Sequence, residues 1–441
     1  MSNQIYNNSN GSFITPLNYN VNSTHPLIPN SQDFMTYKKY VSIHSEDRDI
    51  LKYPISSDFE IELPEDIVNI SSLKLVEWTF PSNYNTFSVI NSNITMAFSI
   101  NEPYNPINKI SDNLIEKIFE SLTYLKNETF IVNIQEGFYN PEQMVTELTN
   151  RFNYVVTVKI IEYLNLQSIN PIIDPADQND YILAKEKLVE TGGYNNFVIV
   201  YNTVNQKIWF GNVCDRFILK NELSSLKSEF STNIFCSNLK TQLPDFSNWG
   251  LPAFIGLNRC DTESVNGTEF NETVYFSKYN DVIVPRFFYG DVFPGDNGYW
   301  LLPNPGLVDS IVFWVECPHK INLMGPAHMY MEIEGNNCID ETSPYNVSQF
   351  TLTTNQTNGI VNSAFAKIPI PTTPISQWFD KVGSEYAPYK FYNPPAERLR
   401  RLKIRIRYHN GQLVNFGLFN YSFVIEFKTQ LPKILKQNFK I

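Results

Sequence analysis

The feature that most constrains the fold is a strict alternation of charged and apolar residues near the end of the chain. Between residues 401 and 408 every even position is apolar or aromatic, and the odd positions hold the cations Arg401, Lys403, Arg405 and Arg407. Successive side chains of a β-strand point to opposite faces, so this period predicts a strand with one buried face. The four cations then share the other face of the sheet.

The same period of two recurs in short segments along most of the chain. From residue 58 to 64, for example, Phe59, Ile61 and Leu63 alternate with polar residues. Loops rich in Asn, Pro and Gly separate such segments, as expected for strands joined by turns. The sequence therefore predicts a mainly β protein. Its predicted strands include YVSIH, SDFEIELP, SSLKLVEWTFP, TMAFSI, FIVNI, YVVTVKIIEY, FVIVYNTVNQKIWF, DSIVFWVE, HMYMEIE and FVIEF.

Three segments show a helical period instead. In SDNLIEKIFESLTYLK the apolar residues fall on one face, and Ser111 is the predicted N-cap. In YNPEQMVTELTNRFN, Asn140 is predicted to cap a helix and Gln143 to complete a capping box. A weaker pattern in DQNDYILAKEKLVETGG predicts a third helix that ends at Gly192 or Gly193.

Length and local composition predict a flexible N-terminal arm followed by a β-sandwich body. Residues 1–35 are rich in Asn, Ser, Thr and Pro, too polar to fold alone. Residues 36–441 are enough for one large body or for two packed β subdomains, with a boundary near residues 165–195. An Asn-Gly turn at residues 410–411 predicts a C-terminal hairpin over residues 398–428, with Glu426 on the cationic face of the basic strand.

Composition favours a subunit of an assembly over a general nucleic-acid binder. The 441 residues carry a formal net charge of −11, with 18% charged and 14% aromatic residues. An acidic chain repels a phosphate backbone, and few surface charges keep such a chain apart from its neighbours. The five cysteines are widely spaced and form no CxxC pair, which suits a reducing compartment.

Targeting signals are not evident in the sequence. The first residues, MSNQIYNNSNGSF, contain no basic segment that leads into an apolar run. No uninterrupted apolar run approaches the roughly 20 residues that span a bilayer. We therefore expect the chain to be neither secreted by this route nor anchored in a membrane.

The sequence contains none of the motifs GxxxxGK[ST], GxGxxG, GxSxG or HExxH, which mark common nucleotide-binding enzymes and hydrolases. Its histidines are scattered singly and are assigned no role. Asp291, Asp296 and Asn297 lie in DVFPGDNG, which is typical of a turn and lacks the spacing of an EF-hand. SEDRD, residues 45–49, is either a carboxylate site with an arginine or a strand-end turn that Arg48 fixes by pairing with its acidic neighbours, and we expect the turn. The prediction is a non-enzymatic protein without cofactor or metal.

The basic strand has three interpretations. It forms a solvated sheet face that acids on adjacent strands partly neutralise, a docking surface for an acidic protein, or a surface for nucleic acid or anionic lipid. Nucleic acid is the least favoured, because a single-strand binder interleaves exposed aromatic residues with its cations, and here the interleaved residues face inward. The candidate partner-docking residues are Arg401, Lys403, Arg405 and Arg407.

Four stretches of the sequence together resemble segments of one class of proteins. One is YVSIHSEDRDILKYPISSDFEIELPEDIVNISSLKLVEWTFPSNYN, with its S-x-D-R-D turn and its F-x-x-x-L-P strand, and another is IQEGFYNPEQMVTELTNRFN. The others are SNWGLPAFIGL and a terminal block from SAFAKIPIP through NPPAERLRRLKIRIRYHNGQLVNF to FVIEF. Taken together, they resemble the minor capsid and other virion structural proteins of the nucleocytoplasmic large DNA viruses, especially those of the mimivirus type.

This resemblance implies a jelly-roll-like antiparallel β-sandwich with a few helical insertions. It also implies a role in cementing or scaffolding the capsomers of an icosahedral shell through the arm and the sheet faces. The implied partners are the major capsid protein and other minor capsid proteins, with the inner membrane face left open and nucleic acid not expected. The protein would be made in the host cytoplasm and reside in the virion.

A second hypothesis is a carbohydrate-binding β-sandwich used in host attachment. It rests on three aromatic residues in predicted loops, Trp249, Tyr299 and Trp300, which can stack on sugar rings. Aromatic residues in loops more often fill the core.

Overall fold

The computed structural model describes the chain in a series of ranges. The predicted arm, residues 1–35, lies outside them except for its last two residues, which begin the first strand. The described residues are 34–82, 85–89, 91, 93–107, 109, 112–221, 250–258, 260–266, 276–279, 282–285, 300–304, 306–341, 362–370, 377–382, 389–409 and 411–432.

The secondary structure is mainly β. The strands are β1 Phe34–His44, β2 Asp58–Ser82, β3 Thr95–Glu102, β4 Phe130–Asn133, β5 Phe197–Asn202, β6 Lys207–Asn212, β7 Arg216–Leu219, β8 Thr262–Glu263, β9 Val265–Asn266, β10 Phe276–Tyr279, β11 Val282–Pro285, β12 Phe313–Glu316, β13 His328–Ile333, β14 Ile339–Glu341, β15 Asn362–Ala364, β16 Ala366–Pro369, β17 Gln377–Val382, β18 Tyr389–Arg407 and β19 Ser422–Pro432. The helices are α1 Asn113–Tyr124, α2 Pro141–Ser168, α3 Pro175–Glu190 and α4 Leu251–Phe254.

The chain forms two compact units, and the second is inserted into the first. Unit 1 comprises Met1–Tyr84, Pro326–Asn346 and Thr354–Ile441, and unit 2 comprises Asn85–Gly325 and Val347–Thr353. The predicted boundary near residues 165–195 is therefore not where the chain divides. Those residues lie inside unit 2, where they form the end of α2, all of α3 and the turns that flank α3.

Unit 1 is built on a seven-stranded antiparallel sheet. Its strand order is β1-β19-β2-β18-β13-β16, and β17 also pairs with β2. The apolar faces of these strands bury one core, with Phe59, Phe80, Ile404 and Ile425 all fully buried. Burial of an aliphatic or aromatic side chain contributes roughly 1.5–3 kcal/mol, so this face fixes the register of the sheet.

The predicted C-terminal hairpin over residues 398–428 does not form. Strands β18 and β19 both pair with β2, which lies between them. The Asn-Gly segment closes only a short turn, in which Tyr408 N donates to Gln412 O at 2.8 Å. The long strand β2 competes successfully for both partners because its alternating apolar residues match the buried faces of each.

Unit 2 places two four-stranded antiparallel sheets and the helices around one core. The sheets have the orders β4-β3-β7-β8 and β5-β6-β12-β9. Phe98 of β3 stacks on Phe152 of α2 at 4.4 Å and meets Phe197 of β5 edge-on at 5.0 Å between ring centroids. Only residue 264 separates β8 from β9, so the chain passes there from one sheet to the other, as at a sandwich corner.

Helix α2 shows both the strength and the weakness of sequence patterns. Its predicted start is confirmed, because Asn140 accepts from Gln143 N and the Gln143 side chain accepts from Asn140 N. It continues to Ser168, however, through YVVTVKIIEY, which was wrongly predicted as a strand. Phe152, Val156 and Ile160 recur every four residues and are fully buried, so helical packing overrides the β-propensity of the branched residues.

The other two predicted helices also form. Helix α1 is capped by Asp112, which accepts from Leu114 N, and not by Ser111 as predicted. Helix α3 ends at Glu190, and Gly192 and Gly193 follow it with positive φ, as its sequence predicted. The predicted fold class is thus confirmed in its antiparallel sheets, its shared two-sheet core in unit 2 and its few helical insertions.

Candidate functional site

The predicted basic strand forms the end of β18 and alternates as expected. Leu402, Ile404 and Ile406 are buried in the core of unit 1. The side chains of Arg401, Lys403 and Arg405 on the opposite face are 42–58% exposed. The one departure is Arg407, whose side chain is 5% exposed.

Strand β2 lines one side of the basic strand with carboxylates. Arg401 donates from Nε and Nη2 to Glu62 Oε1 at 2.9 and 2.6 Å, and its Nη1 lies 3.6 Å from Glu60 Oε1. Arg405 Nη2 lies 3.5 Å from Asp58 Oδ2. These pairs follow from the register, which sets Arg401 opposite Glu62 and Arg405 opposite Asp58.

The other side is lined in the same way by β13 and the residue that follows it. Lys403 Nζ lies 3.6 Å from Glu334 Oε2, and Arg405 Nη1 lies 3.6 Å from Glu332 Oε2. The basic strand therefore runs between two acidic rows. We call this surface of β2, β18 and β13 the charge ladder.

The charge ladder is not a cationic stripe. Its three exposed cations are matched by five carboxylates on the same face, Asp58, Glu60, Glu62, Glu332 and Glu334. A polyanion meets no net positive field there, so these contacts argue against nucleic acid at this position. They match the interpretation of a solvated face that acids on adjacent strands neutralise.

Arg407 belongs to the interior and not to a docking surface. It pairs with Glu332 and with Glu341, a carboxylate whose side chain is only 3% exposed. His409 Nδ1 lies 3.0 Å from the second oxygen of Glu341. Burial alone would raise the pKa of Glu341, but hydrogen bonds from Arg407 and His409 outweigh it and lower the pKa. Arg407 is therefore removed from the candidate docking residues, because its guanidinium neutralises a buried anion.

Glu426 was predicted on the cationic face of the basic strand. This prediction is wrong, because β2 separates β19 from β18. Glu426 sits opposite Lys74 and accepts from Lys38 Nζ at 3.0 Å and from Tyr40 Oη at 2.8 Å. Burial would raise its pKa, but these two hydrogen bonds lower it.

A buried polar network in unit 2 was missed by the sequence reasoning. Asp215 is fully buried and accepts from Tyr194 Oη and from Tyr104 N, both at 2.7 Å. Cys214 Sγ lies 3.3 Å from the same carboxylate, and Asn212 Nδ2 donates to Tyr194 Oη at 2.7 Å. Burial raises the pKa of Asp215 despite these hydrogen bonds, and raises that of the Cys214 thiol.

The network is buried and holds a turn. Asn212, Tyr194, Cys214 and Asp215 are each at most 6% exposed. Asn212 Oδ1 accepts from the backbone N–H groups of Cys214 and Asp215, at 3.1 and 2.8 Å, which closes the turn between β6 and β7. The signal in the sequence is Asn212, followed three residues later by Asp215, between two apolar strands.

The S-x-D-R-D turn behaves as predicted, with different partners. Arg48 donates to the carbonyl oxygens of Ser45 at 2.6 Å and Tyr53 at 3.0 Å, and to Asn420 Oδ1 at 2.8 Å. The guanidinium thus fixes the end of β1 through neutral acceptors and not through the adjacent acids. We assign this turn a structural role.

Of the loop aromatics in the carbohydrate hypothesis, only Trp300 is described, since residues 249 and 299 lie outside the described ranges. Trp300 packs edge-on against the buried Trp209, with ring centroids 5.8 Å apart, as a residue that fills a core does. The segment DVFPGDNG, which was predicted to form a turn and not a calcium site, also lies outside these ranges.

Among the described residues, no three His, Cys, Asp or Glu side chains are placed to share a metal ion. None of the described helices has both the length and the apolar character needed to cross a bilayer. The four described cysteines, Cys214, Cys260, Cys317 and Cys338, are free thiols.

No family model and no curated protein matches the chain. Among solved structures, it is similar to the Sputnik virophage structure determined by cryo-EM at 3.5 Å, with 11% identity and a TM-score of 0.36 over 89% of this chain and 98% of that chain. It is also similar to the selenomethionine-labelled mavirus penton protein, with 8% identity and a TM-score of 0.35 over 90% and 100%. Scores this low assign neither a family nor a function.

Proposed function

We propose that this chain is a non-enzymatic structural protein of a viral capsid, of the minor capsid type that joins other capsid proteins. One observation supports this proposal above others. The four sequence stretches that resemble such proteins meet in pairs within the units, although long intervals of sequence separate them.

In unit 1, the first stretch and the terminal block form one sheet. Strands β2 and β18 pair along most of their length, with Leu402 opposite Ile61. The S-x-D-R-D turn is joined to the start of β19 by Arg48, which donates to Asn420, and by Ser45 N, which donates to Tyr421 O at 2.9 Å. The resembling residues are thus those that connect β1 and β2 to β18 and β19.

In unit 2, the two middle stretches meet at Phe87. Tyr139 and Phe254 contact its ring at 5.7 and 5.5 Å between centroids. Gly137 and Phe87 exchange two backbone hydrogen bonds of 2.9 Å. Gly256 has a φ of +92°, and a Cβ there would lie 2.2 Å from the carbonyl oxygen of His319, so this position requires glycine.

The charge ladder offers a neighbouring capsid protein exposed groups that exchange partners readily. Exposed ion pairs contribute only about 0–1 kcal/mol each, so a charged neighbour can replace them at small cost. Docking through Arg401, Lys403 and Arg405 stays a prediction. An interface formed by these three residues should weaken as the salt concentration rises.

The proposed function is tested by quantifying the protein in gradient-purified particles of the virus that encodes it. We expect a fixed ratio to the major capsid protein that survives repeated purification. A protein that is abundant in infected cells and absent from particles would contradict the proposal.

The docking prediction is tested separately with the double variant R401Q/R405Q. Incorporation into particles should fall, and the deficit should grow with the salt concentration during assembly. The variant K126Q/K185Q, which removes two lysines of unit 2, serves as the charge-matched control. Normal incorporation of R401Q/R405Q would leave the charge ladder as a solvated face only.

A further inference from the structure

The outer face of the unit 1 sheet carries a second surface, apart from the charge ladder. It consists of two rows of residues that run side by side across β1, β19, β2 and β18. Residues directly opposite in antiparallel strands project from the same face, so each row lies on one side of the sheet. The first row is Tyr40, Glu426, Lys74 and Tyr389, and the second is Lys38, Lys428, Ser72 and Phe391.

Three aromatic rings of this aromatic–lysine surface are open to solvent. Tyr40 is 56% exposed, Tyr389 52% and Phe391 64%. The rings of Tyr389 and Phe391 lie 5.4 Å apart at an interplanar angle of 65°. Tyr40 lies three strands away in the same row, roughly 14 Å at ordinary strand spacing. Large aromatic residues grouped on a surface mark a contact site more often than scattered ones do.

The same two rows carry a net positive charge. They contain three lysines, Lys38, Lys74 and Lys428, and one carboxylate, Glu426. Glu426 is 9% exposed and already holds hydrogen bonds from Lys38 and from Tyr40. A ligand at the surface therefore meets lysine ammonium groups and ring faces, although the whole chain has a net charge of −11.

We propose that the aromatic–lysine surface binds single-stranded nucleic acid, with bases stacked on Tyr389, Phe391 and Tyr40 and phosphates near Lys74 and Lys428. Surfaces that bind single strands combine cations with exposed aromatic residues, on which the bases stack in a largely sequence-tolerant way. A four-stranded sheet that presents two or three aromatic rings is a recurrent form of such a surface.

The contrast with the charge ladder supports this assignment. On the charge ladder, the residues between the cations are buried and each exposed cation has a carboxylate partner. On the aromatic–lysine surface, the rings lie on the same face as the lysines. The criterion that made nucleic acid the least favoured partner of the basic strand is thus met elsewhere on the same sheet, and this inference does not depend on the proposed capsid role.

Binding is tested by fluorescence anisotropy of the full-length protein with a fluorescein-labelled oligothymidylate long enough to span the four strands. The wild type should bind, and affinity should fall between about 50 mM and 200 mM salt as phosphate contacts are screened. Loss of each stacked ring should weaken binding about tenfold, so Y389A/F391A should bind far more weakly. The variant K74Q/K428Q should bind more weakly and with a shallower salt dependence.

The control is Y154A/K126Q, which removes an exposed aromatic residue and a lysine from unit 2 and should bind like the wild type. Hydrogen exchange over unit 1 checks that the variants fold. If Y389A/F391A does not fold, K74Q/K428Q still tests the binding surface independently. A wild type that ignores the oligonucleotide at low salt would overturn the proposal, as would unchanged binding by Y389A/F391A. If that variant instead impairs only incorporation into particles, the surface is a protein contact and the proposal fails.

Discussion

Units 1 and 2 both bury carboxylates, and they do so by opposite means. In unit 1, Glu341 is held by Arg407 and His409, and Glu426 by Lys38 and Tyr40, so the pKa of each carboxylate is lowered. In unit 2, Asp215 receives hydrogen bonds from a tyrosine, a thiol, an asparagine amide and one backbone N–H, without an ion pair to any described cation, and burial raises its pKa.

The difference follows from the surroundings of each group. Glu426 accepts from Lys38 on the neighbouring strand β1, and Arg407 at the end of β18 pairs with Glu341 on β14. Asp215 lies between two sheets lined by aromatic side chains, where only local polar groups are available. A carboxylate is therefore kept ionised in unit 1, whereas in unit 2 burial favours the protonated form.

The largest expected effect is the loss of one partner of a buried ion pair in unit 1. The variant R407M leaves Glu341 buried without its main cation, which should cost about 3–5 kcal/mol of unfolding free energy. The matched variant R405M, on the exposed part of the same strand, should cost no more than about 1 kcal/mol. Chemical denaturation measures both, and equal costs would contradict the assignment of Arg407 to the interior.

A comparable loss of unfolding free energy is expected when the core of unit 2 is disrupted, and it should be localised to that unit. The variant F152A removes a ring that contacts Phe98, Phe197 and Phe210, and should cost about 3–5 kcal/mol. Hydrogen exchange should show the loss of protection in the sheets of unit 2. The control Y154A, on the exposed side of the same helix, should leave protection nearly unchanged.

A smaller expected effect is a difference between the two units in how their stability depends on pH. The pKa of Glu341 is lowered, so its stabilising contribution is present above its unfolded value near 4.5 and is lost as the pH falls through the folded value. The pKa of Asp215 is raised, so its contribution is fullest below its unfolded value near 3.8 and declines as the pH rises. Through these two carboxylates, acidification below about 4.5 should therefore destabilise unit 1 and not unit 2.

Hydrogen exchange at a series of pH values, corrected for intrinsic exchange rates, measures this difference. The variant E341Q should remove part of the acid response of unit 1 and leave that of unit 2 unchanged. Opening of unit 2 first in acid would contradict the contrast between the two carboxylate environments.

Local patterns predicted much of the fold. The period of two placed Leu402, Ile404 and Ile406 in the core, and the Asn140 cap fixed the start of α2, because both signals depend on residues close in sequence. The prediction of a strand for YVVTVKIIEY was wrong because it relied on local propensity alone. Its β-branched residues suggested a strand, whereas the helix is set by burial every four residues from Phe152 onward.

Long-range partners could not be predicted from the sequence. The position of Arg407 follows the predicted parity, but its burial depends on Glu332 and Glu341, about 70 residues earlier in the chain. The C-terminal hairpin failed because β2, more than 300 residues away, lies between its two strands. Likewise, Tyr40 and Tyr389 share a surface only because four strands assemble in the order β1-β19-β2-β18.

Crosslinking mass spectrometry on intact purified particles would show whether this chain is a structural protein of a capsid, as we propose. Lys403 lies on the charge ladder and Lys367 lies on β16, at the other described edge of the same sheet from β1. We expect reproducible crosslinks from Lys403 to other capsid proteins, and we expect them to be lost when particles are dissociated at high salt. A protein found only outside particles, or crosslinked there only to itself, would contradict the claim.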